Sequence, residues 1–270
     1  MKTEISTQQI ELYGEQGFVV IDDFLDADEL SHWRRNVDEA VDARQDRKIA
    51  NRDDRSGDSY YDKVFTQRLN LWMDHDGVRG LMLDDRLGRM AAELAGVDGI
   101  RIWHDQALIK EPWANPTGWH IDNPYWSFSS RQAISIWVAL DDVTRDNGCL
   151  YFIPGTHKSA TWQNAGIDQN MGGLFQLYPQ WATLDAVAGP MRAGSCSFHN
   201  GLLAHGAGAN MTPGRRRAMT CAYMPDGEIF NGQANVLPPE YVATLSEGDV
   251  LDNDEQNPLL YHKSKPAVSP

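Results

Sequence analysis

Apolar residues recur at helical spacing in the first third of the chain and at strand spacing beyond it. Residues 7–16 (TQQIELYGEQ) read as a short helix ended by Gly17, and Phe18-Val19-Val20-Ile21 reads as a buried strand. Asp26, with Glu29 three positions on, has the make-up of a capping box. Leu30, Trp33, Val37 and Val41 follow on one helical face, so this second helix runs to about Val41. Val78, Leu81, Met82, Leu87, Met90 and Leu94 give an apolar face to a third helix over 76–96. Between these two helices, residues 42–63 are highly charged and have no period. They read as an exposed loop, or more sharply as a substrate lid.

From Ile100 onward the spacing shortens. Strand-type runs at 101–110, 132–140, 149–153, 193–199 and 217–224 are separated by Gly, Pro, Asn and Asp clusters. This texture predicts an antiparallel sandwich or barrel. Residues 156–190 form a long insert, a length expected of a segment that wraps the core or has a function. The tail after about Gly248 is polar and ends in proline, and is expected to fray. The layout predicts one domain over 1–270: a mostly helical part (1–99), a β core (100–225) and a C-terminal extension (226–270).

Composition narrows the function. The 270 residues hold 24 Lys+Arg against 38 Asp+Glu, a formal charge of −14. Phosphate contacts need clustered cations, so neither nucleic acid nor an anionic membrane surface is an expected partner. The one dense basic run is Arg215-Arg216-Arg217. Cys149, Cys196 and Cys221 show no CxxC spacing, which fits a reduced compartment. The N-terminus has no apolar signal core, and no window nears the ~18 apolar residues of a membrane span. A cytoplasmic enzyme or binding protein acting on a small molecule is the expectation.

Candidate chemistry begins at Thr117-Gly118-Trp119-His120-Ile121-Asp122. On a strand, residues two apart share a face at a separation of about 6–7 Å, so His120 and Asp122 can reach one ion while Ile121 turns away. His205, in Leu-Leu-Ala-His-Gly-Ala-Gly, supplies a second imidazole. Two histidines and one carboxylate on one face of an ion suit non-haem Fe(II), which activates O2. Zinc accepts the same ligands. Beyond His205, Asn210-Met-Thr-Pro213-Gly214 is a turn sequence, and Arg215 onward reads as the returning strand of a hairpin. Arg216 would then lie roughly 10–13 Å along the barrel from the metal, at about 3.3 Å per residue. A dicarboxylate chelated to the metal could rest its far end on that guanidinium. Parity puts Arg215 and Arg217 on the other, solvated face. It also groups Ala133, Ser135, Trp137 and Ala139 on one face, and Ala218, Thr220 and Ala222 with Arg216.

Three segments, H-I-D, W-V-A-L-D-D-V-T-R-D-N-G-C-L-Y-F-I-P-G-T-H-K and H-G-A-G-A-N-M-T-P-G-R-R-R-A, together resemble the phytanoyl-CoA dioxygenase family over roughly residues 8–225. These are Fe(II)- and 2-oxoglutarate-dependent oxygenases. The resemblance implies a mainly β fold, a double-stranded β-helix (jelly roll, cupin-like) with flanking helices. It implies that His120, Asp122 and His205 bind iron and that Arg216 binds the distal carboxylate of 2-oxoglutarate. Trp137 matches a tryptophan near the cosubstrate, and Gln106 and Lys110 share a strand face that could line the same pocket. The implied reaction consumes O2 and releases succinate and CO2. With Asp122 present, hydroxylation is expected over halogenation. Ala207 departs from the family, which often has a hydroxyl residue there.

Substrate contacts are expected from the aromatics after the HxD motif, Tyr125, Trp126 and Phe128, with Trp72, Trp162 and Asn200 as further candidates. The substrate expected is a small or medium organic metabolite, since a CoA ester suits so acidic a chain poorly. His199 reads as a pocket-edge or packing residue, His104 as packing between strands, and His157 as structural. Two other readings stay open: a cupin-like metalloenzyme of another class, such as a zinc isomerase or hydrolase, and a non-catalytic barrel that binds a ligand.

Overall fold

Local signals build the first elements of the computed structural model, which describes residues 1–45, 60 and 63–264. Ser6 and Gln9 form a capping box at the start of α1 (Thr7–Gln16). Gly17 ends this helix at φ 86°. A Cβ there would lie 2.5 Å from His157 Nδ1, so conformation and space both require glycine. β1 (Phe18–Ile21) follows, then α2 (Ala27–Arg44) behind the Asp26/Glu29 capping box. α2 outruns its apolar stripe because its last turn is anchored. The Arg44 guanidinium donates to Asp74 and to the carbonyls of Leu69 and Asn70. Most of the charged stretch 42–63, read as a loop or lid, lies outside the described residues.

β2 (Thr66–Leu69) leads to a 3-10 turn at Leu71–Met73. The helix expected over 76–96 is two, α3 (Asp76–Met82) and α4 (Asp85–Ala95). The break is chemical: the Asp84 carboxylate accepts from the Arg86 N–H and starts a new helix. The apolar face survives the break, with all six of its predicted residues buried.

The β strands follow as β3 (Gly99–Lys110), β4 (Thr117–His120), β5 (Ile134–Ala139), β6 (Leu150–Phe152), β7 (Val187–Gly189), β8 (Cys196–Asn200), β9 (His205–Ala207), β10 (Arg216–Pro225) and β11 (Leu259–His262). Among the described residues they form two antiparallel sheets, as expected of a jelly roll. The larger runs β1-β8-β5-β10-β3, with β2 and β11 both along the outer edge of β3; the smaller runs β4-β9-β6-β7. Alternation sorts the faces of the larger sheet. Ile134, Ile136, Val138, Met219, Cys221 and Tyr223 pack against the helices with Trp33, Val37, Leu87 and Met90. Trp137, Ala139 and Ala218 point inward and meet Leu150 and Phe152 of the smaller sheet. Burying each large apolar side chain contributes about 1.5–3 kcal/mol.

Three expectations change here. The Asn210–Gly214 turn closes no hairpin, because β9 belongs to the smaller sheet and β10 to the larger. The chain crosses between sheets instead, and the Asn210 carboxamide pins the crossing by donating to the carbonyls of Lys110, Glu111 and Gly214. The insert 156–190 wraps the core as expected, but carries structure: α5 (Gly173–Leu177), a 3-10 turn at Pro179–Trp181, and β7. Its Tyr178 and Trp181 stack at 3.8 Å and pack over Ile121. The tail does not fray through residue 264. Leu251 and Asn257 are buried, the Asn257 amide donates to the carbonyls of Ile102 and Trp103, and β11 joins β3. Polar composition there reflects hydrogen bonding to a sheet edge. Among the described residues no helix is long and apolar enough to cross a membrane, and the three cysteines are free and buried.

Candidate metal centre and its cavity

β4 stops at His120. Asp122 has helical backbone angles (φ −82°, ψ −48°) and opens a 3-10 turn at Asn123–Tyr125. A strand end followed by a turn, not two positions on one strand, therefore brings the HxD side chains together. The backbone N–H groups of Asp122 and Asn123 both donate to the Gly201 carbonyl, which fixes the turn. Ile121 points away, fully buried against the insert. His205 faces His120 across the β4–β9 ladder, with ring centroids 4.2 Å apart. Gly206 allows that approach, since a Cβ there would lie 2.8 Å from the Thr117 carbonyl oxygen.

The ligand atoms of His120, Asp122 and His205 lie within 4.8 Å of one another, close enough to hold one metal ion. Asp122 Oδ1 is 3.5 Å from His120 Nε2 and 3.8 Å from His205 Nε2. Each histidine places Nδ1 against a carbonyl: 2.8 Å from Gly118 for His120 and 2.9 Å from Leu203 for His205. A carbonyl only accepts, so Nδ1 carries the proton and Nε2 offers its lone pair. Burial, aided by the neighbouring His120, pushes His205 down to about 3. Burial alone would raise the Asp122 carboxyl, but His205, His120 and His199 around it hold it well below the usual carboxylate range. A neutral His205 beside an ionised Asp122 is the protonation state that metal binding requires.

The triad opens into a cavity of about 460 Å³, shared with the inner face of the larger sheet. Arg216 lines it and is 3% exposed. Its donors reach only the carbonyls of Leu108 (3.4 Å) and Gly148 (3.3 Å), and its Nε has no partner. It makes no ion pair among the described residues, and lies 5.2 Å over the Trp137 ring. Burial brings it down to about 10, which leaves it charged at neutral pH. A buried cation without a counter-ion is costly, and a guanidinium with free donors is a receptor for a carboxylate. Arg217 lies on the opposite face as parity predicts, but it is half-buried between Asp141 and Asp38 instead of solvated, because those two carboxylates hold its guanidinium; Arg215 is exposed as expected.

Of the other candidates, Trp137, Gln106, Tyr125 and Trp126 line the cavity. Lys110 does not: its ammonium donates to the carbonyls of Val64 and Asn115, and burial with Arg216 nearby brings it down to about 7. Phe128 is turned into a core cluster against Trp103 and Trp126. Trp72 lies in the helix-side core, its backbone N–H held by Asp105. Trp162 is exposed beneath Arg131. Asn200 spends its side chain on the Arg131 carbonyl and the Leu202 N–H. Aromatic or amide character near a motif does not say which way a side chain faces. The cavity also takes in Thr220, on the Arg216 face as parity predicts, and His199, in keeping with its pocket-edge reading. His104, read as packing between strands, and Thr117 and the insert's Gly166–Asp168, which sequence reading missed, line it too. The alternation in Cys196-Ser-Phe198-His199 was a usable signal, with Cys196 and Phe198 helix-side and His199 inward. Thr117, a hydroxyl residue, pairs with Ala207 in the ladder, and both line the cavity.

The family profile described as Phytanoyl-CoA dioxygenase (PhyH) matches residues 13–218. The peroxisomal phytanoyl-CoA dioxygenase of Mus musculus is 24% identical over 240 residues, 81% of this chain and 68% of that one. Among solved structures, the non-heme alpha ketoglutarate dependent carbocyclase SnoK from nogalamycin biosynthesis is similar with a TM-score of 0.77 and 26% identity, covering 95% of this chain and 96% of that one. The epimerase SnoN, solved in complex with Fe3+, alpha ketoglutarate and nogalamycin RO, is similar with a TM-score of 0.71 and 26% identity, covering 94% and 97%. With a jelly roll, a two-histidine, one-carboxylate triad and a match over most of its length, the chain belongs to the phytanoyl-CoA dioxygenase family of iron- and 2-oxoglutarate-dependent oxygenases.

Proposed function

We propose that the protein hydroxylates a small or medium organic metabolite, with His120, Asp122 and His205 holding Fe(II) and Arg216 receiving the distal carboxylate of 2-oxoglutarate. The observation that carries this reading is the meeting, in one cavity, of a metal-competent triad and a buried guanidinium whose Nε has no partner. The donor set fits the ion: neutral imidazole and carboxylate suit non-haem iron. Bound iron and 2-oxoglutarate together supply the oxidation of the substrate by O2, with release of succinate and CO2.

The chain's own residues bind, orient and exclude water. Trp137 lies under the Arg216 guanidinium and limits where the far carboxylate can sit. Thr117 and Thr220 add hydroxyl residues to the cavity lining. Tyr125 and Trp126 give the substrate end an aromatic wall, and the Tyr125 hydroxyl is tied to the Ala165 carbonyl at 2.6 Å. A cavity of about 460 Å³ that also takes the cosubstrate suits a compact molecule and not an enclosed CoA ester. Among the described lining residues Arg216 is the one Lys or Arg, so among them a second anionic group finds no further guanidinium or ammonium.

The test is an anaerobic titration of protein and Fe(II) with 2-oxoglutarate. A weak visible charge-transfer band is expected, absent from His205→Ala. Wild-type protein that neither shows the band nor binds 2-oxoglutarate would sink the reading. A second outcome has support from the similar structures, which are a carbocyclase and an epimerase. A metabolite panel scored by succinate release, with 18O2 for the substrates found, separates oxygen insertion from ring closure or epimerisation.

A further inference from the structure

Asp122 is surrounded by three imidazoles, and they do not play the same part. His120 and His205 come from the smaller sheet. His199 reaches in from the larger one, where it pairs with Phe18 of β1 and Ser135 of β5. Its ring is buried, with centroids 4.7 Å from His205 and 5.8 Å from Phe152. The two carboxylate oxygens face different partners. Oδ1 faces the Nε2 atoms of His120 and His205, while Oδ2 lies 3.5 Å from His199 Nε2. That separation is an ion-pair contact, short enough to tighten into a hydrogen bond once the site is loaded, as polar contacts of free enzymes commonly do.

The tautomers separate the three rings. In His120 and His205 a carbonyl accepts from Nδ1, so Nε2 is free to coordinate. His199 Nδ1 is buried with no hydrogen-bond partner. A proton there would be an orphaned buried donor, which folded proteins rarely tolerate. On Nε2 the same proton meets a carboxylate oxygen. His199 therefore carries its proton on the nitrogen that a ligand would need bare. It also stands outside the group whose ligand atoms converge.

We infer that His199 is a positioning residue, an Nε2–H donor that holds Asp122 Oδ2 and leaves Oδ1 alone to face the iron. This rests on the iron and 2-oxoglutarate reading above. Held this way, Asp122 would offer a bound metal Oδ1 and keep Oδ2 on the imidazole. Donors that orient metal-bound carboxylates typically affect metal affinity by about 10–100-fold.

The experiment uses Co(II) as the probe metal in full-length protein. His199→Phe and His199→Leu remove the donor and keep an apolar ring or branch in the buried site; His199→Gln returns an N–H near the same place. Phe and Leu are expected to weaken Co(II) binding by about 10–100-fold and to change the Co(II) ligand-field spectrum, with the metal-free proteins retaining the wild-type circular dichroism. Gln is expected to restore most of the affinity and the wild-type spectrum. Folded Phe and Leu variants with wild-type affinity and spectrum would overturn the inference. If neither folds, Gln decides alone: wild-type behaviour supports the donor role, and a folded Gln variant with weak binding overturns it. Wild-type protein that binds neither Co(II) nor Fe(II) with 2-oxoglutarate removes the underlying reading, a result distinct from failure of the His199 role alone.

Discussion

Arg216 and Lys110 face each other across the β10–β3 ladder, two buried cations with different tasks. Arg216 has donors to spare. Replacing it by Gln removes a charged hydrogen-bonding partner worth about 1.5–3 kcal/mol, so 2-oxoglutarate affinity should fall roughly 10–150-fold by anaerobic calorimetry. Lys110 has its carbonyl partners, and burial brings it down to about 7. The unfolded chain keeps this proton up to about 10.4 and the folded chain releases it near 7, so across that window the unfolded state binds more protons. Stability should therefore rise with pH from about 7 to about 10, and be lost as pH falls back through it. Lys110→Met should flatten that slope in denaturation curves taken at stepped pH. At this scale His120, Asp122, His205, Arg216, Trp137 and Gln106 were legible, because each sits in a motif or on a face that parity resolves. Phe128, Trp72, Trp162 and Asn200 were not. Their type marks them as candidates, but packing decides which cluster takes the ring.

Elements were legible where the signal was local. α1, β1 and the start of α2 follow from caps and apolar runs, and the structure keeps them within a few residues. The break between α3 and α4 was also local, in Asp84, but an unbroken apolar face hid it. Sheet membership was not legible: a Pro-Gly turn before a strand has the same composition whether the strand returns or crosses over. β9 and β10 cross, and this puts His205 and Arg216 on facing sheets around one cavity. Gly17 at the α1–β1 junction tests how tightly these elements are set. Gly17→Ala meets both a left-handed backbone and the His157 ring, and should cost more than about 1 kcal/mol in chemical denaturation. A variant as stable as wild type would mean that the junction relaxes freely.

For the whole molecule, the tail is where composition misled. Arg101 links Asp226 to Asp254, and β11 closes part of the β3 edge. Truncation after residue 248 should therefore lower the thermal midpoint by several degrees and expose apolar surface that dyes detect. An unchanged midpoint would show the segment to be dispensable. The arrangement of the site across the two sheets has a mechanical side. His120 and His205 belong to one sheet and Arg216 to the other. A cosubstrate held between iron and Arg216, as proposed, would be a rivet through the sandwich. Metal and cosubstrate together should then raise the unfolding midpoint by more than the sum of their separate effects, since each ligand at a hundred times its Kd adds about 2.7 kcal/mol and the rivet exists only when both are bound. In Arg216→Gln, with the rivet head removed, the excess over additivity should shrink to what metal chelation alone provides.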